Sequence, residues 1–315
     1  MRLAALSDIH GNLPALEAVL ADARAQGVDA FLVAGDTAGG PGQQAAFDRL
    51  RALDAHLIRG NSEEYCLAFD TGSAPEAWRS SYQWSTLRWS YQHLDRECLD
   101  FIGALPEQCV VSLDGTAPIR VVHGSPSHPT EHLFPNGDPV ALEALRAAAV
   151  TPKRKPPPLV SVLAGIDEDV LVCGHSHVPW QQAGKGWLAV NAGSVGAPVN
   201  GDPRAQYALL AWRAGRWCAE HRAVTYDMDA ATAAWHDSGL LAVGGAIART
   251  CLLGMQRGQN LRGWFVEHLY RLAAEAGWAG GDSVPDEVWE EAVATFDWGL
   301  GSAATPGCGG EGDLW

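Results

Sequence analysis

Hydrophobic residues in the first part of the chain come in short blocks, and each block stops at a polar residue of a restricted kind. Residues 2–6 form an apolar run that ends just before Asp8. Beyond it Asn12 is placed to cap a helix with Pro14 in its first turn, and Leu13, Leu16, Val19, Leu20 and Ala23 recur at helical spacing. Gly27 closes that helix and Ala30-Phe31-Leu32-Val33-Ala34 reads as a buried strand, so the pattern predicts strand, helix and a second strand parallel to the first. A helix near 41–53 and a strand over 55–59 repeat the unit, and that strand runs into Gly60-Asn61.

From about 65 to 106 aromatic residues take over at helical spacing, with Trp78, Tyr82 and Trp89 as one face or Trp84, Leu87 and Tyr91 as the other. This predicts a helical insertion whose aromatics pack between helices. Strands return at 108–113 and 118–122 about the hairpin signal Asp114-Gly115, and the second ends at His123-Gly124. A second insert over 124–168 holds a loop with Pro126 and Pro129, a helix near 138–149, and the basic, proline-rich, exposed stretch 152–158. Its Lys153, Arg154 and Lys155 either steer an anionic substrate or simply face solvent.

Further strands are expected at 169–173, 180–183, 187–190, 206–212 and 216–223, the last two joined at Ala214-Gly215. After about 226 the composition turns alanine-rich and helical, with Leu261, Phe265, Leu269 and Leu272 on one face. The expected organisation is therefore a main domain over 1–225, a helical C-terminal extension over 226–300 and a flexible Gly-rich tail over 301–315. No internal repeat is evident.

Composition narrows the classes. The chain has 315 residues, 47% of them hydrophobic, enough for a real core. No run approaches the ~18 apolar residues of a membrane span, and Met1 leads into Ser7-Asp8 without a signal-peptide segment, so a soluble, cytoplasmic protein is expected. Seven scattered cysteines without a C-x-x-C pair signal neither a disulfide framework nor a thiolate zinc site, and Cys173 in a buried strand should be inert. A net charge of −15 argues against holding a nucleic-acid backbone, and bound cations would offset part of it.

The chemistry-bearing residues sit where strands end: Asp8 and His10, Asp36, Asn61, His123, and His175 with His177. In α/β sheets, ligands collect outside the carboxyl ends of strands, so these seven should converge. Two carboxylates, one amide oxygen and four imidazoles suit Mn²⁺, Fe, Zn²⁺, Co²⁺ or Ni²⁺ and are too many for one ion. Two ions sharing a bridging carboxylate polarise an ester and turn a water into hydroxide near neutral pH. Gly60-Asn61 taken alone is also an ordinary turn signal, and Arg59 reads equally as a phosphate contact or an ion-pair partner. His56, His93, His221, His236 and His268 read as ordinary core or surface histidines.

In order, Asp8-x-His10, Gly35-Asp36, Gly60-Asn61, His123-Gly124 and Gly174-His175-x-His177 resemble the calcineurin-like metallophosphoesterase family over roughly residues 1–224. The run from Gly35 to Pro41, Leu105-Pro106, and Asn191-Ala192-Gly193-Ser194-Val195 resemble its small bacterial phosphodiesterase branch. The resemblance implies an αββα fold, two mixed β-sheets packed as a sandwich flanked by helices. It implies that Asp8, His10 and His177 hold one metal, that Asn61, His123 and His175 hold the other, and that Asp36 bridges.

The expected activity is hydrolysis of a phosphodiester or phosphomonoester by a metal-bridging hydroxide, with His10 and the metals stabilising the developing charge and Mn²⁺ the metal that serves in vitro. The expected partner is a small phosphorylated substrate, a nucleotide among the options, with no membrane and with an oligomer contact left open. Rival readings in the family are a nucleotide or dinucleoside polyphosphate hydrolase, a protein phosphatase and a nuclease. A rival of another class is a non-catalytic scaffold. Many members continue Gly-Asn with a histidine thought to protonate the leaving group; here Ser62 stands there, followed by Glu63, and His128 or His132 are the candidate substitutes.

Overall fold

The computed structural model describes residues 1–135, 156–281 and 283–299, so the helix expected near 138–149, the basic residues 153–155 and the tail over 301–315 lie outside the described residues. Two five-stranded sheets form its centre. The first carries β1 (Arg2–Leu6), β2 (Ala30–Ala34), β3 (Ala55–Ile58), β9 (Ala205–Arg213) and β10 (Arg216–Val224) in the order β10-β9-β1-β2-β3. The second carries β4 (Gln108–Val111), β5 (Ile119–Val122), β6 (Val170–Cys173), β7 (Trp180–Gly184) and β8 (Trp187–Asn191) in the order β4-β5-β6-β8-β7.

Both sheets are mixed. β1, β2 and β3 are parallel, with Leu3 opposite Ala30 and Phe31 opposite Ala55, while β9 runs antiparallel to both of its neighbours, β1 and β10. In the second sheet β5, β6 and β8 are parallel and the hairpin partners β4 and β7 antiparallel. The central strands β1, β2 and β6 are apolar on both faces because both faces are covered. Leu3, Ala5, Leu32, Ala34 and Ile58 point inward against Val121, Val172 and Val190 of the opposing sheet. Their neighbours Ala4, Leu6, Phe31 and Val33 point outward onto Leu16, Val19 and Leu20 of α1 (Leu13–Ala25), which Asn12 caps through Ala15 N.

After β2 comes α2 (Gln43–Arg51). The insertion then holds α3 (Asn61–Asp70), α4 (Glu76–Ser80), a 3₁₀ turn over Tyr82–Trp84, α5 (Ser85–Gln92) and α6 (Arg96–Ala104). Neither expected aromatic face is kept whole. Ser81 is extended and its hydroxyl accepts from Gln83 N, which resets the helical phase; Trp84 and Trp89 become buried while Tyr82 is 67% exposed.

Past the short α7 (Leu159–Leu163) and the second sheet follow α8 (Met228–Asp237), α9 (Leu240–Arg257), α10 (Leu261–Glu275) and α11 (Asp286–Thr295), with α9 kinked at Gly245. Leu261, Phe265 and Leu269 face Ile247, Val288 and Phe296 as their spacing predicts. Trp89 of the insertion packs among Trp235, Leu240, Ala248 and Leu252, and Gln83 Nε2 donates to Val284 O, so the two helical parts pack against each other. No helix among the described residues is long and apolar enough to cross a membrane.

Candidate metal centre

Each of the seven residues follows a strand: Asp8 and His10 after β1, Asp36 after β2, Asn61 as the first residue of α3 after β3, His123 after β5, and His175 and His177 after β6. The backbone that delivers them is unusual. Asp8, His10, Asp36, His175 and His177 all have positive φ, between 46° and 66°, and Ala214 is the only other non-glycine that does so among the described residues. Such conformations cost about 1–3 kcal/mol each and persist where the surroundings over-determine them. Close approach adds a second demand, since a β-carbon at Gly60 would collide with the carboxylate of Asp36 and lie 2.9 Å from His123 Nδ1.

The side chains converge as two overlapping groups, Asp8 with His10 and His177, and Asp8 with Asp36 and His123. His10 Nδ1 lies 3.0 Å from Ala38 O, His123 Nδ1 2.7 Å from Ala34 O and His177 Nδ1 2.6 Å from Ala197 O. A carbonyl can only accept, so each Nδ1 carries the proton and each Nε2 keeps its lone pair aimed into the cluster. His10 Nε2 and His177 Nε2 are then 3.2 Å apart, and His123 Nε2 is 3.0 Å from Asn61 Oδ1. Facing lone pairs repel unless a cation or proton lies between them.

Asp8 Oδ1 is buried without a hydrogen-bond partner, 3.2 Å from His177 Nε2. Asp36 presents Oδ2 toward His10 Nε2 at 3.8 Å and Oδ1 toward His123 Nε2 at 3.4 Å. His175 stands alongside: its N–H donates to Asp8 Oδ2, its Nε2 donates to Thr130 O, and its ring lies 5.1 Å from that of His123. These donors fit hard or borderline divalent ions.

Burial and mutual charge set the protonation. Burial alone would raise Asp8, but the imidazoles of His177, His123 and His10 hold its carboxyl well below the usual range. Burial lowers His175 strongly, aided by His132 and His123, and lowers His10, aided by His177. For His123 and His177 the burial penalty is outweighed by carboxylates, Asp36 first for one and Asp8 for the other, and both are raised. Burial thus favours neutral His10 and His175, while the carboxylates favour a positive charge at His123 and His177, a charge that a bound cation could supply instead.

Surrounding groups fix this geometry. Glu63 Oε2 accepts from Asp36 N and Gly60 N at 2.8 and 2.7 Å, and its Oε1 from Thr37 N and Ala38 N at 2.8 Å each. Burial and the charge of Asp36 still push its carboxyl up to about 7. Ser62 turns out to serve Asp36: its N–H donates to Oδ1 and its hydroxyl to Oδ2, both at 2.8 Å. Of the suggested substitutes for the missing histidine, His128 is exposed with Nδ1 taken up by Thr130, whereas the His132 ring lies 4.4 Å from that of His175.

Arg59 is bound by Glu64, Leu105 O and Glu107, which makes it an ion-pair residue, and His93 and His221 bond to the Trp89 and Asn191 carbonyls. Sequence patterns missed the backbone carbonyls of Ala34, Ala38, Thr130 and Ala197 as histidine acceptors, because carbonyls leave no residue signature. For Glu63 a signal existed, an acid closing a Gly-Asn-x-Glu run at a helix start.

Comparison with known proteins agrees with this geometry. A calcineurin-like phosphoesterase superfamily domain profile matches residues 1–215. An uncharacterised protein of Methanocaldococcus jannaschii is 26% identical over 231 residues, which span 66% of this chain and 82% of that protein. The crystal structure of a metallophosphoesterase from Sphaerobacter thermophilus superposes with a TM-score of 0.59 at 25% identity, covering 82% of this chain and 99% of the other. A hypothetical protein from Pyrococcus horikoshii shares the fold with a TM-score of 0.58 at 20% identity, covering 82% of this chain and 98% of its own. With the profile spanning both sheets up to the start of β10, and the metal-type cluster at their strand ends, the chain belongs to the calcineurin-like phosphoesterase superfamily and is a metal-dependent phosphoester hydrolase.

Proposed function

We propose that the chain is a dinuclear-metal phosphodiesterase, with Asp8, His10 and His177 holding one ion, Asn61, His123 and His175 the other, and Asp36 bridging. The observation that carries the reading is the pair of facing lone-pair contacts, His10 Nε2 to His177 Nε2 at 3.2 Å and His123 Nε2 to Asn61 Oδ1 at 3.0 Å, on either side of the split carboxylate of Asp36. Two ions held there would supply Lewis acidity and lower the pKa of a bound water toward neutrality. The protein's part is to orient: backbone carbonyls fix the tautomers of His10, His123 and His177, and Ser62 and Glu63 fix Asp36.

The diester preference rests on the sequence features shared with the small bacterial phosphodiesterase branch, and we propose manganese as the ion that supports activity in vitro and a small phosphorylated molecule as substrate. We place the protein in the cytoplasm, in keeping with the free cysteines among its described residues. The division into a phosphoesterase domain over 1–225 and a helical extension belongs to this reading. Ser62, which stands where many members carry a histidine, is engaged with Asp36 and so supports the site.

The test is metal content together with hydrolysis of an aryl phosphodiester and an aryl phosphomonoester, with and without Mn²⁺, for wild type and Asp36→Asn. Metal-dependent turnover of the diester that disappears in the variant is expected. Monoester as the better substrate overturns the diesterase assignment, and the absence of bound metal overturns the whole reading.

A further inference from the structure

The turn after β8 runs directly behind two of the residues that face the cluster. Ser194 is fully buried, and its hydroxyl donates to Asp8 O at 2.7 Å while accepting from Ala197 N at 2.8 Å. Ala197 O in turn accepts from His177 Nδ1 at 2.6 Å. One hydroxyl therefore closes a chain from the backbone of Asp8 to the ring of His177, two residues that the fold holds at positive φ and that belong to different strand ends. Backbone bonds lay the turn in place, Val195 N to Ser7 O and Gly196 N to Asp8 O, both at 3.0 Å. A β-carbon at Gly196 would collide with Ile9 O, so the turn lies flat against the Asp8 loop. The Asn191 amide continues the same brace by donating to Gly174 O and Ser176 Oγ at 2.6 and 3.1 Å. By contrast, the His123 ring leans on Ala34 O, and Asp36 on Ser62 and Glu63, so the turn reaches that side of the cluster only indirectly, through Asp8 and its bond from His175 N–H.

We infer that Ser194 is a positioning residue for one of two ions: its hydroxyl fixes Asp8 and His177 relative to each other, so losing it weakens the ion held by Asp8, His10 and His177 and spares the ion held around Asn61 and His123. The inference rests on the ligand assignment proposed above. The physical reason for selectivity is that a strained backbone stays in place only while its neighbours over-determine it, and Ser194 is the neighbour that Asp8 and His177 share. Partners of this kind, one step behind a metal ligand, contribute about 10–100-fold to metal affinity. A purely structural hydroxyl would instead lower global stability without telling the two ions apart.

The experiment is titration of metal-free protein with Mn²⁺ alone, free ion being followed by its paramagnetic resonance signal, for wild type, Ser194→Ala and Ser194→Cys, with the unfolding midpoint of each metal-free protein measured alongside. Cysteine keeps the shape but donates weakly, and it decides the matter if the alanine variant does not fold. Wild type is expected to take up two equivalents; in the variants one equivalent keeps its affinity and the other weakens about 10–100-fold. Two equivalents at wild-type affinity in a folded variant, or both weakened alike, overturns the inference while leaving the ligand assignment standing. Fewer than two equivalents in wild type overturns the assignment and the inference with it.

Discussion

Asp36 sits at the meeting of every demand placed on the cluster. Its two oxygens face different histidines, its backbone is left-handed, and Ser62 and Glu63 bind it from behind. Partners one step behind a metal ligand cost about 10–100-fold when lost, so Asp36→Asn should cost more than about 100-fold in kcat and lower the metal content, checked by steady-state kinetics and elemental analysis. Glu63 offers a sharper stability test. Each of its oxygens accepts two backbone N–H groups, and Glu63→Gln must turn an NH₂ toward one of those pairs. Two buried donors left unpaired cost about 2–6 kcal/mol, to be read by chemical denaturation of the metal-free protein. At this scale the sequence was legible in the convergence of Asp8, His10, Asp36, His123 and His177, because each follows a strand; the carbonyls that set the histidine tautomers were not.

Elements are joined across the first sheet by a polar knot that periodicity could not foresee. Arg222 of β10 donates through Nε and Nη2 to Asp22 of α1 at 2.7 and 3.0 Å, and the Tyr207 hydroxyl of β9 donates to the same carboxylate at 2.7 Å. The Arg222 guanidinium, with smaller help from Tyr207, holds the Asp22 carboxyl below its ordinary value. A depressed carboxylate stabilises the fold above its unfolded pKa of about 3.9 and loses that contribution as pH falls through the lower folded value. Asp22→Asn should therefore cost about 0.5–1 kcal/mol near pH 7, discounted for solvent screening, and the gap to wild type should close in acid below that unfolded value, as measured by urea unfolding at a series of pH values. The helical parts meet closely at Gly244, where an added β-carbon would stand 2.6 Å from Ala248 Cβ and 2.8 Å from Thr86 Cγ2. Gly244→Ala should push α9 from α5 and cost about 1–3 kcal/mol, visible as a lower unfolding midpoint. The aromatic insertion was legible as helical, but its buried face was not, because an extended Ser81 resets the phase between α4 and α5.

For the molecule as a whole, a net charge of −15 and a buried cluster of carboxylates and lone pairs should make the metal-free state the less stable one. Anything that binds only the folded state stabilises it by mass action, about 2.7 kcal/mol at a free concentration one hundred times its Kd. Chelation should lower the unfolding temperature by several degrees and Mn²⁺ should restore it, a difference that thermal scanning reads and that Asp36→Asn should largely abolish. The sequence by itself determined the strand-helix-strand order, the strand positions in outline and the strand-end residues with their family likeness, because hydrophobic period and strand-end polarity are local properties written one residue at a time. Only the tertiary structure decided which nitrogen of each histidine faces the cluster, that Ser62 and Ser194 brace the site, and that the insertion packs on the C-terminal helices through Trp89. Those outcomes depend on backbone carbonyls and on contacts between residues far apart in the chain, which exist only once both sheets have brought their strand ends together.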